Sequence, residues 1–394
     1  MTERLYYTDS YLTAFDGSVV ETSEEGLRVY LDRTAFYPSS GGQPNDLGTL
    51  NGIRVVDVLD EVVDAGVERA ERIAHVLEKP LQAGAVSGCV DWARRFDHMQ
   101  QHSGQHLLSA VFEALYGMKT VSFHLGAESS TIDLETPSLT PAQVRAVEER
   151  TAELVLECHP VGVSFEDAAA AAGLRKASER EGTLRVVSIK GVDRSACGGT
   201  HVRSTGEIGP IQIRKLDKIR GNIRVEFLCG HRALRRARAD FEALSLAAKL
   251  FSSPLDEVPE LVKTLQEQAR ESDKTRRKLA VELALRRGAE LFAASPEEPS
   301  GLRWHIERVQ AGGLGDEVRA LAQGFTAAGR GVFVAACDNP PSVMLATSIE
   351  SGVHAGNRLK ELLAVHGGRG GGSAQVAQAS LPSVEALNGL LAAL

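Results

Sequence analysis

Two short runs hold the residues best able to do chemistry. His102-Ser103-Gly104-Gln105-His106 sets two imidazoles four residues apart in an apolar-periodic stretch that continues through Leu107, Leu108, Ala110, Val111 and Phe112. Four residues is about one helical turn, so both rings leave the same face of a helix. Far downstream, Cys197-Gly198-Gly199-Thr200-His201 repeats the interval with a thiol and an imidazole. Its paired glycines favour a bent loop over a helix. Three nitrogens and a thiolate are a donor set that zinc prefers, which predicts one shared zinc site built by two distant segments. With four protein ligands such a site is closed and shapes a pocket or positions a substrate. With one ligand released, a bound water becomes acidic enough to attack an acyl carbon.

The residues between these ligands favour a working site. Ser103, Gln105 and Thr200 are polar groups that a purely structural zinc knuckle does not need, and they are the candidate catalytic residues. Gly198 and Gly199 expose backbone N–H groups suited to an oxyanion. Asp97 and Asp193 are candidate partners behind the ligand imidazoles. His98 shares the helix as a supporting or surface histidine, and His124 either lines the pocket or is a satisfied strand residue. Upstream, Phe36 to Gly48 is rich in Gly and Pro. It reads as a surface turn or as a loop laid against a ligand through Gly41, Gly42 and the Gln43 amide.

The elements that must hold these groups follow from periodicity. Residues 1 to about 92 read mainly as strands, among them Leu27–Leu31, Ile53–Val58, Ile73–Leu77 and Val86–Val90. A helix runs from Asp91 to about Tyr116, followed by strands at Thr120–Leu125 and Ser130–Leu134. Thr140-Pro141 opens a second helix, with a capping hydroxyl and a proline at its first position, running to about Glu157. Strands at Leu184–Ile189, Ile208–Leu216 and Ile223–Leu228 complete an α+β pattern. A helical stretch begins at His231. Val258, Val262, Leu265, Ala269, Leu279 and Leu283 then fall near heptad positions, with a polar break around Ser272 and Arg276. This reads as a coiled-coil arm, packed on a second copy or on its own protein. The last hundred residues alternate strand and helix. They include Gly367 to Gln375, a glycine cluster that reads as a flexible linker or as a loop offering amides to phosphate.

The chain therefore reads as α+β and multidomain: a mainly β unit over 1–92, a zinc-containing α+β unit over 93–240, a helical arm over 241–294 and an α/β unit over 300–394. The net charge of −8 argues against a generic nucleic-acid binder but leaves room for local basic patches, such as Arg232 to Arg238 and Lys274 to Lys278. Five cysteines form no regular framework, no apolar run approaches a membrane span, and no signal-peptide pattern opens the chain. These features predict a reduced cytoplasmic protein, with Cys89, Cys158, Cys229 and Cys337 as small buried hydrophobes.

The run from Arg94 through Ser109, with Cys197 to Val202 and Thr205 to Gly209, closely resembles the editing domain of alanyl-tRNA synthetase and its free-standing AlaX relatives. Phe36 to Gly48 resembles the glycine-rich motif of longer AlaX types. Gly367 to Ser380 resembles the synthetase's C-terminal domain. Ser103 stands where relatives often carry Thr, and Arg369 where they often carry Lys. No class II synthetase core precedes the editing region, and no Asp-His-His run supports a phosphoesterase. The resemblance implies a stand-alone trans-editing hydrolase that removes serine, or glycine, from mischarged tRNA(Ala) at zinc held by His102, His106, Cys197 and His201. It implies that Gly41, Gly42, Gln43, Arg369, Gly370 and Gly371 contact substrate and that tRNA is the partner; the heptad-like arm and the C-terminal domain are the candidate seams of a homodimer. The competing expectations are a non-catalytic zinc-stabilised tRNA-binding factor and a deacylase of another aminoacyl-tRNA.

Overall fold

Side-chain alternation in the first ninety residues closes into a six-stranded barrel. The computed structural model describes residues 2–65, 68–177, 182–309 and 313–394, in two units, Met1–Leu246 and Ala247–Leu394. The barrel strands are β1 (Ala14–Thr22), β2 (Arg28–Leu31), β3 (Gly48–Leu50), β4 (Ile53–Ala65), β5 (Glu68–Leu77) and β6 (Ala85–Val90), hydrogen-bonded in the order β1-β2-β5-β4-β3-β6 and back to β1. Closure leaves no exposed sheet edge. Val29, Leu31, Leu50, Val55, Val58 and Ile73 fill the interior. In β6, Val86, Gly88 and Val90 point inward and Ala85, Ser87 and Cys89 outward. Cys89 is therefore exposed, correcting the expectation that it is buried. Cys158 is exposed as well, on the turn after a helix, whereas Cys229 and Cys337 are buried. His75 is enclosed in the barrel 2.8 Å from Thr34 Oγ1, and burial pushes it down to about 4.

Helix α1 (Trp92–Tyr116) is the axis of the rest of this unit. Asp91 accepts from Arg94 N at its start, and Gly117 closes it in the left-handed conformation, φ 66°. Every residue from His98 to Phe112 is buried, so the helix is enclosed on all sides rather than amphipathic. It packs against the sheet formed by β7 (Thr120–Leu125), β8 (Ser130–Leu134), β12 (Ile211–Ile219) and β13 (Asn222–Cys229), in the order β12-β13-β8-β7. A second sheet pairs β9 (Val161–Asp167), β10 (Thr183–Ile189) and β11 (Asp193–Ala196). Gly104 allows the helix its close approach, since a Cβ there would lie 2.2 Å from Cys229 Sγ. The predicted cap of α2 (Pro141–Leu156) is present as a full capping box between Thr140 and Gln143. The strand expected from Ile208 instead starts at Ile211, because Thr205–Ile208 forms a 3-10 turn.

The loop between β2 and β3 is tied to α1 by a buried ion pair. Arg95 Nε lies 3.1 and 3.0 Å from the two Asp46 carboxylate oxygens, and both side chains are fully buried. Arg95 Nη1 donates to Ser10 O at 2.8 Å, and Asp46 accepts from Tyr37 N at 2.7 Å.

Helix α3 (Gly230–Phe251) follows β13. In the second unit, α4 (Val258–Ala294) runs as one helix through the polar interruption of the heptad pattern at Ser272 and Arg276. Leu265, Leu279 and Leu283 of the predicted seam are exposed. The C-terminal part of α4 packs on α5 (Asp316–Ala327), where a Cβ on Gly288 would lie 2.2 Å from Leu321 O. A five-stranded sheet follows: β14 (Arg303–Val309), β15 (Gly331–Asp338), β16 (Pro341–Thr347), β17 (Arg369–Gly372) and β18 (Val376–Ser380), in the order β14-β15-β16-β18-β17. Its helices are α5, α6 (Ala355–His366) and α7 (Val384–Ala392). The glycine cluster is thus neither linker nor loop: Arg369–Gly372 is an edge strand antiparallel to β18. Side chains at two of its glycines would collide, since a Cβ on Gly370 would lie 2.3 Å from Gln378 O and one on Gly372 2.2 Å from Val376 O. Among the described residues no helix is long and apolar enough to cross a membrane.

Two outcomes follow. Asp46→Ala strands a buried guanidinium and should destabilise the first unit by about 3–5 kcal/mol in urea titrations. His75 binds a proton more readily unfolded than folded, so barrel stability should be full above pH 6.5 and fall as pH drops toward 4, by about 3 kcal/mol. Hydrogen exchange of the barrel amides measures this slope, and His75→Gln should flatten it.

Candidate metal centre

The two histidines of α1 and the loop after β11 converge. One ligand atom from each of His102, His106, Cys197 and His201 lies within 4.8 Å of every other. Cys197 Sγ is 3.4 Å from His102 Nε2 and 3.3 Å from His201 Nε2. A tetrahedral ion with bonds of about 2.0–2.3 Å has donor–donor edges of about 3.3–3.6 Å, so the two edges at Sγ fit one.

Each imidazole is aimed by a partner on its other nitrogen. His102 Nδ1 donates to Gln43 Oε1 at 2.8 Å, and His106 Nδ1 to Asp193 Oδ2 at 2.8 Å. His201 Nδ1 lies 3.1 Å from Ser103 Oγ, which also accepts from Val202 N at 3.1 Å. These bonds turn the Nε2 atoms toward the thiol, the arrangement expected behind metal-binding histidines. Asp193 is itself held by Arg175 at 2.7 Å and by Ser195. Burial works against its charge, but His106 and Arg175 outweigh it and hold the carboxyl down to about 2. Burial likewise opposes the Cys197 thiolate, yet His102 and His201 bring it well below the usual thiol range. Burial pushes His201 down to about 3. It would lower His106 too, but Asp193 and Cys197 raise that ring to about 9. A metal ion would displace its Nε2 proton.

Glycine is required where the segments touch. A Cβ on Gly199 would lie 2.2 Å from His102 Cε1 and 2.9 Å from Gln43 Oε1. Gly42 has φ 85°, and a Cβ there would lie 2.7 Å from Phe123 O. Phe123 in turn stacks on the His102 ring at 5.2 Å. The loop of residues 36–48 is therefore part of the centre rather than a surface turn. Gln43 joins its two halves, since Nε2 donates to Thr200 Oγ1 at 2.9 Å and Oε1 accepts from Thr200 N at 3.2 Å.

The other sequence candidates scatter. Gln105 Nε2 donates to Ser109 Oγ on its own helix at 2.9 Å. Gly199 N–H is directed at Cys197 Sγ, 3.4 Å away, rather than held open for an oxyanion. His124 faces outward on β7. Asp97 binds Arg232 at 2.6 Å instead of a ligand imidazole. His98 is buried, and burial with the nearby Arg94 lowers it to about 3. Arg369, Gly370 and Gly371 are exposed in β17 of the second unit.

A cleft of about 800 Å³ opens onto His102 and Cys197, with Gly41, Tyr6, Tyr7, Tyr37 and Arg185 in its walls. Sequence reasoning passed over these aromatic and cationic residues. The available signals were Tyr6-Tyr7 in a chain with 5% aromatics and a lone arginine inside the apolar run Leu184-Arg185-Val186-Val187.

Residues 184–226, which include Cys197 and His201, match the family described as threonyl and alanyl tRNA synthetase second additional domain. The chain is 35% identical over 299 residues to the mouse alanyl-tRNA editing protein Aarsd1, covering 70% of this chain and 71% of that protein. The chain belongs to the AlaX-type alanyl-tRNA editing family. Within it, identity to AlaX-L of Pyrococcus horikoshii is 34% over 247 residues, covering 60% of each protein. An alanine–tRNA ligase of Methanoregula boonei aligns with 98% of this chain at 31% identity, but the chain spans 42% of that enzyme.

Asp193→Ala should lower metal affinity by roughly 10–100-fold while preserving the ligand set. Competition with a chromophoric chelator reads the first, and the absorption of the cobalt form the second.

Proposed function

We propose that this editing protein hydrolyses the aminoacyl ester of mischarged tRNA(Ala), with serine as the main misloaded amino acid and glycine as a second, at zinc held by His102, His106, Cys197 and His201. The observation that carries this reading is the four-donor cluster at a cleft, in a chain of the alanyl-tRNA editing family. Its logic is energetic. A synthetic site sized for alanine discriminates one group more or less by only about 1–3 kcal/mol, so a separate site that hydrogen-bonds the serine hydroxyl rejects alanine far better.

Zinc, when bound, supplies a Lewis acid for the ester carbonyl or for its attacking water. The chain's own residues fix what lies around it. Thr200 is fully buried and bonds Gln43 through both its hydroxyl and its N–H, so it acts by locking the Cys197–His201 loop to the loop of residues 36–48. Ser103 acts by holding His201, and Gln105 by bracing α1 through Ser109. In the second unit, exposed Arg369 on a side-chain-poor strand offers phosphate a guanidinium beside bare backbone.

Ser-tRNA(Ala) and Ala-tRNA(Ala) assayed with and without a chelator test the reading. Serine should be released, alanine retained, and chelation should stop the reaction. Cys197→Ala should lose both zinc and activity; normal hydrolysis by a verified metal-free variant would rule the mechanism out. Arg369→Glu should raise KM for tRNA more than it lowers kcat, measured by steady-state deacylation.

A further inference from the structure

The cleft above the metal centre is larger than an amino-acid ester requires. At about 800 Å³ it falls within the roughly 300–1,000 Å³ of pockets that enclose drug-sized ligands. Two polar atoms of its lining residues have no hydrogen-bond partner among the described residues, Tyr6 Oη and Arg185 Nη2. Tyr6 is fully buried and Arg185 is 8% exposed.

The remaining Arg185 nitrogens are committed. Nε donates to Tyr7 O at 3.0 Å, and Nη1 donates to Cys197 O at 2.7 Å and Gly199 O at 2.9 Å. Its acceptors are main-chain carbonyls, so no carboxylate among these bonds balances its charge. Arg4, the other guanidinium in the cleft, is instead held by Asp60 at 2.8 and 3.1 Å. A buried donor without a partner is costly, and more so when it is charged. Arginine N–H and tyrosine O–H together present donors to an incoming group, which suits the oxygens of an anion.

We propose that Tyr6 and Arg185 form an anion subsite that takes the phosphate on the 5′ side of the substrate's terminal nucleoside. Tyr6 and Arg185 line the same cleft as His102 and Cys197, so one nucleotide placed in it meets both the metal donors and the orphaned donors. The protein then positions the last nucleotide of the tRNA by its phosphate as well as holding its amino acid. Because Arg185 also holds the carbonyls of the Cys197–Gly199 loop, phosphate binding bears on the segment that carries two of the metal donors. This proposal rests on the aminoacyl-tRNA reading above and deepens it.

Adenosine and adenosine 5′-monophosphate, used as competitors of Ser-tRNA hydrolysis by the full chain, test the subsite. The monophosphate should compete at about tenfold lower concentration than the nucleoside, a difference typical of one charge-assisted contact. Tyr6→Phe should narrow that gap and raise KM more than it lowers kcat, with zinc content and unfolding midpoint at wild-type values. Arg185→Lys should narrow the gap as well; if it sheds zinc, Tyr6→Phe and the wild-type competition decide. Equal competition by the two compounds, no competition by the monophosphate, or a wild-type KM and gap in Tyr6→Phe would overturn the proposal and leave the orphaned groups to buried water. Absence of Ser-tRNA hydrolysis by the wild-type protein is a different result, since it removes the function proposed above rather than the subsite alone.

Discussion

The first unit depends on one fully buried ion pair. Arg95 stands at the start of the central helix and Asp46 in the loop between two barrel strands, and neither side chain reaches solvent. Taking both charges out of water is expensive unless each is fully matched. Here the guanidinium reaches the carboxylate and the Ser10 carbonyl, while the carboxylate also takes the Tyr37 amide. The pair therefore holds well in one geometry only. That geometry brings the glycine-rich loop against the helix face from which His102 and His106 project. Barrel and helix then act as one scaffold for a site that neither contains alone.

Much of this was legible in the sequence because it rests on local rules. The i, i+4 histidines, the capping hydroxyl of Thr140 and the bend at Gly198-Gly199 each follow from backbone geometry over a few residues. What stayed illegible depends on contacts between distant segments. The loop of residues 36–48 has the composition of an ordinary turn; only its encounter with Phe123 and Thr200 makes it part of the centre. His124 and Phe123 are neighbours on one strand, and strand alternation sends the phenyl ring to His102 and the imidazole to solvent. Asp193 and Asp97 were equal candidates until pairing separated them, one onto His106 and the other onto Arg232. The glycine cluster near the C-terminus failed for a related reason. Absence of side chains reads as flexibility along a sequence, but in this sheet it lets an edge strand pair where a Cβ at Gly370 or Gly372 would strike the neighbouring strand.

The distribution of charge changes how the acidic composition should be read. Several of the basic residues that look clustered in sequence are paired within the protein: Arg214 and Arg236 with Asp240, Arg224 with Asp133, Arg276 and Arg277 with Asp273. The exposed pairs on Asp240 and Asp273 add little stability, but all of these pairs reduce the net field that a run of arginines would otherwise project. Arg185 differs from them by being buried, with its hydrogen bonds among the described residues going to main-chain carbonyls.

Gln43 has a consequence of its own. Its carbonyl oxygen faces the Nδ1 of His102 and the amide of Thr200, while its nitrogen faces the Thr200 hydroxyl. One terminal amide therefore dictates the tautomer of an imidazole carried by a different part of the chain. Glutamate would keep the acceptor and lose the donor, and a shorter asparagine would fall short of both. A single planar group thus decides which nitrogen of His102 faces the thiol, and any remodelling of the barrel loop would be felt first as a change in which ring nitrogen carries hydrogen.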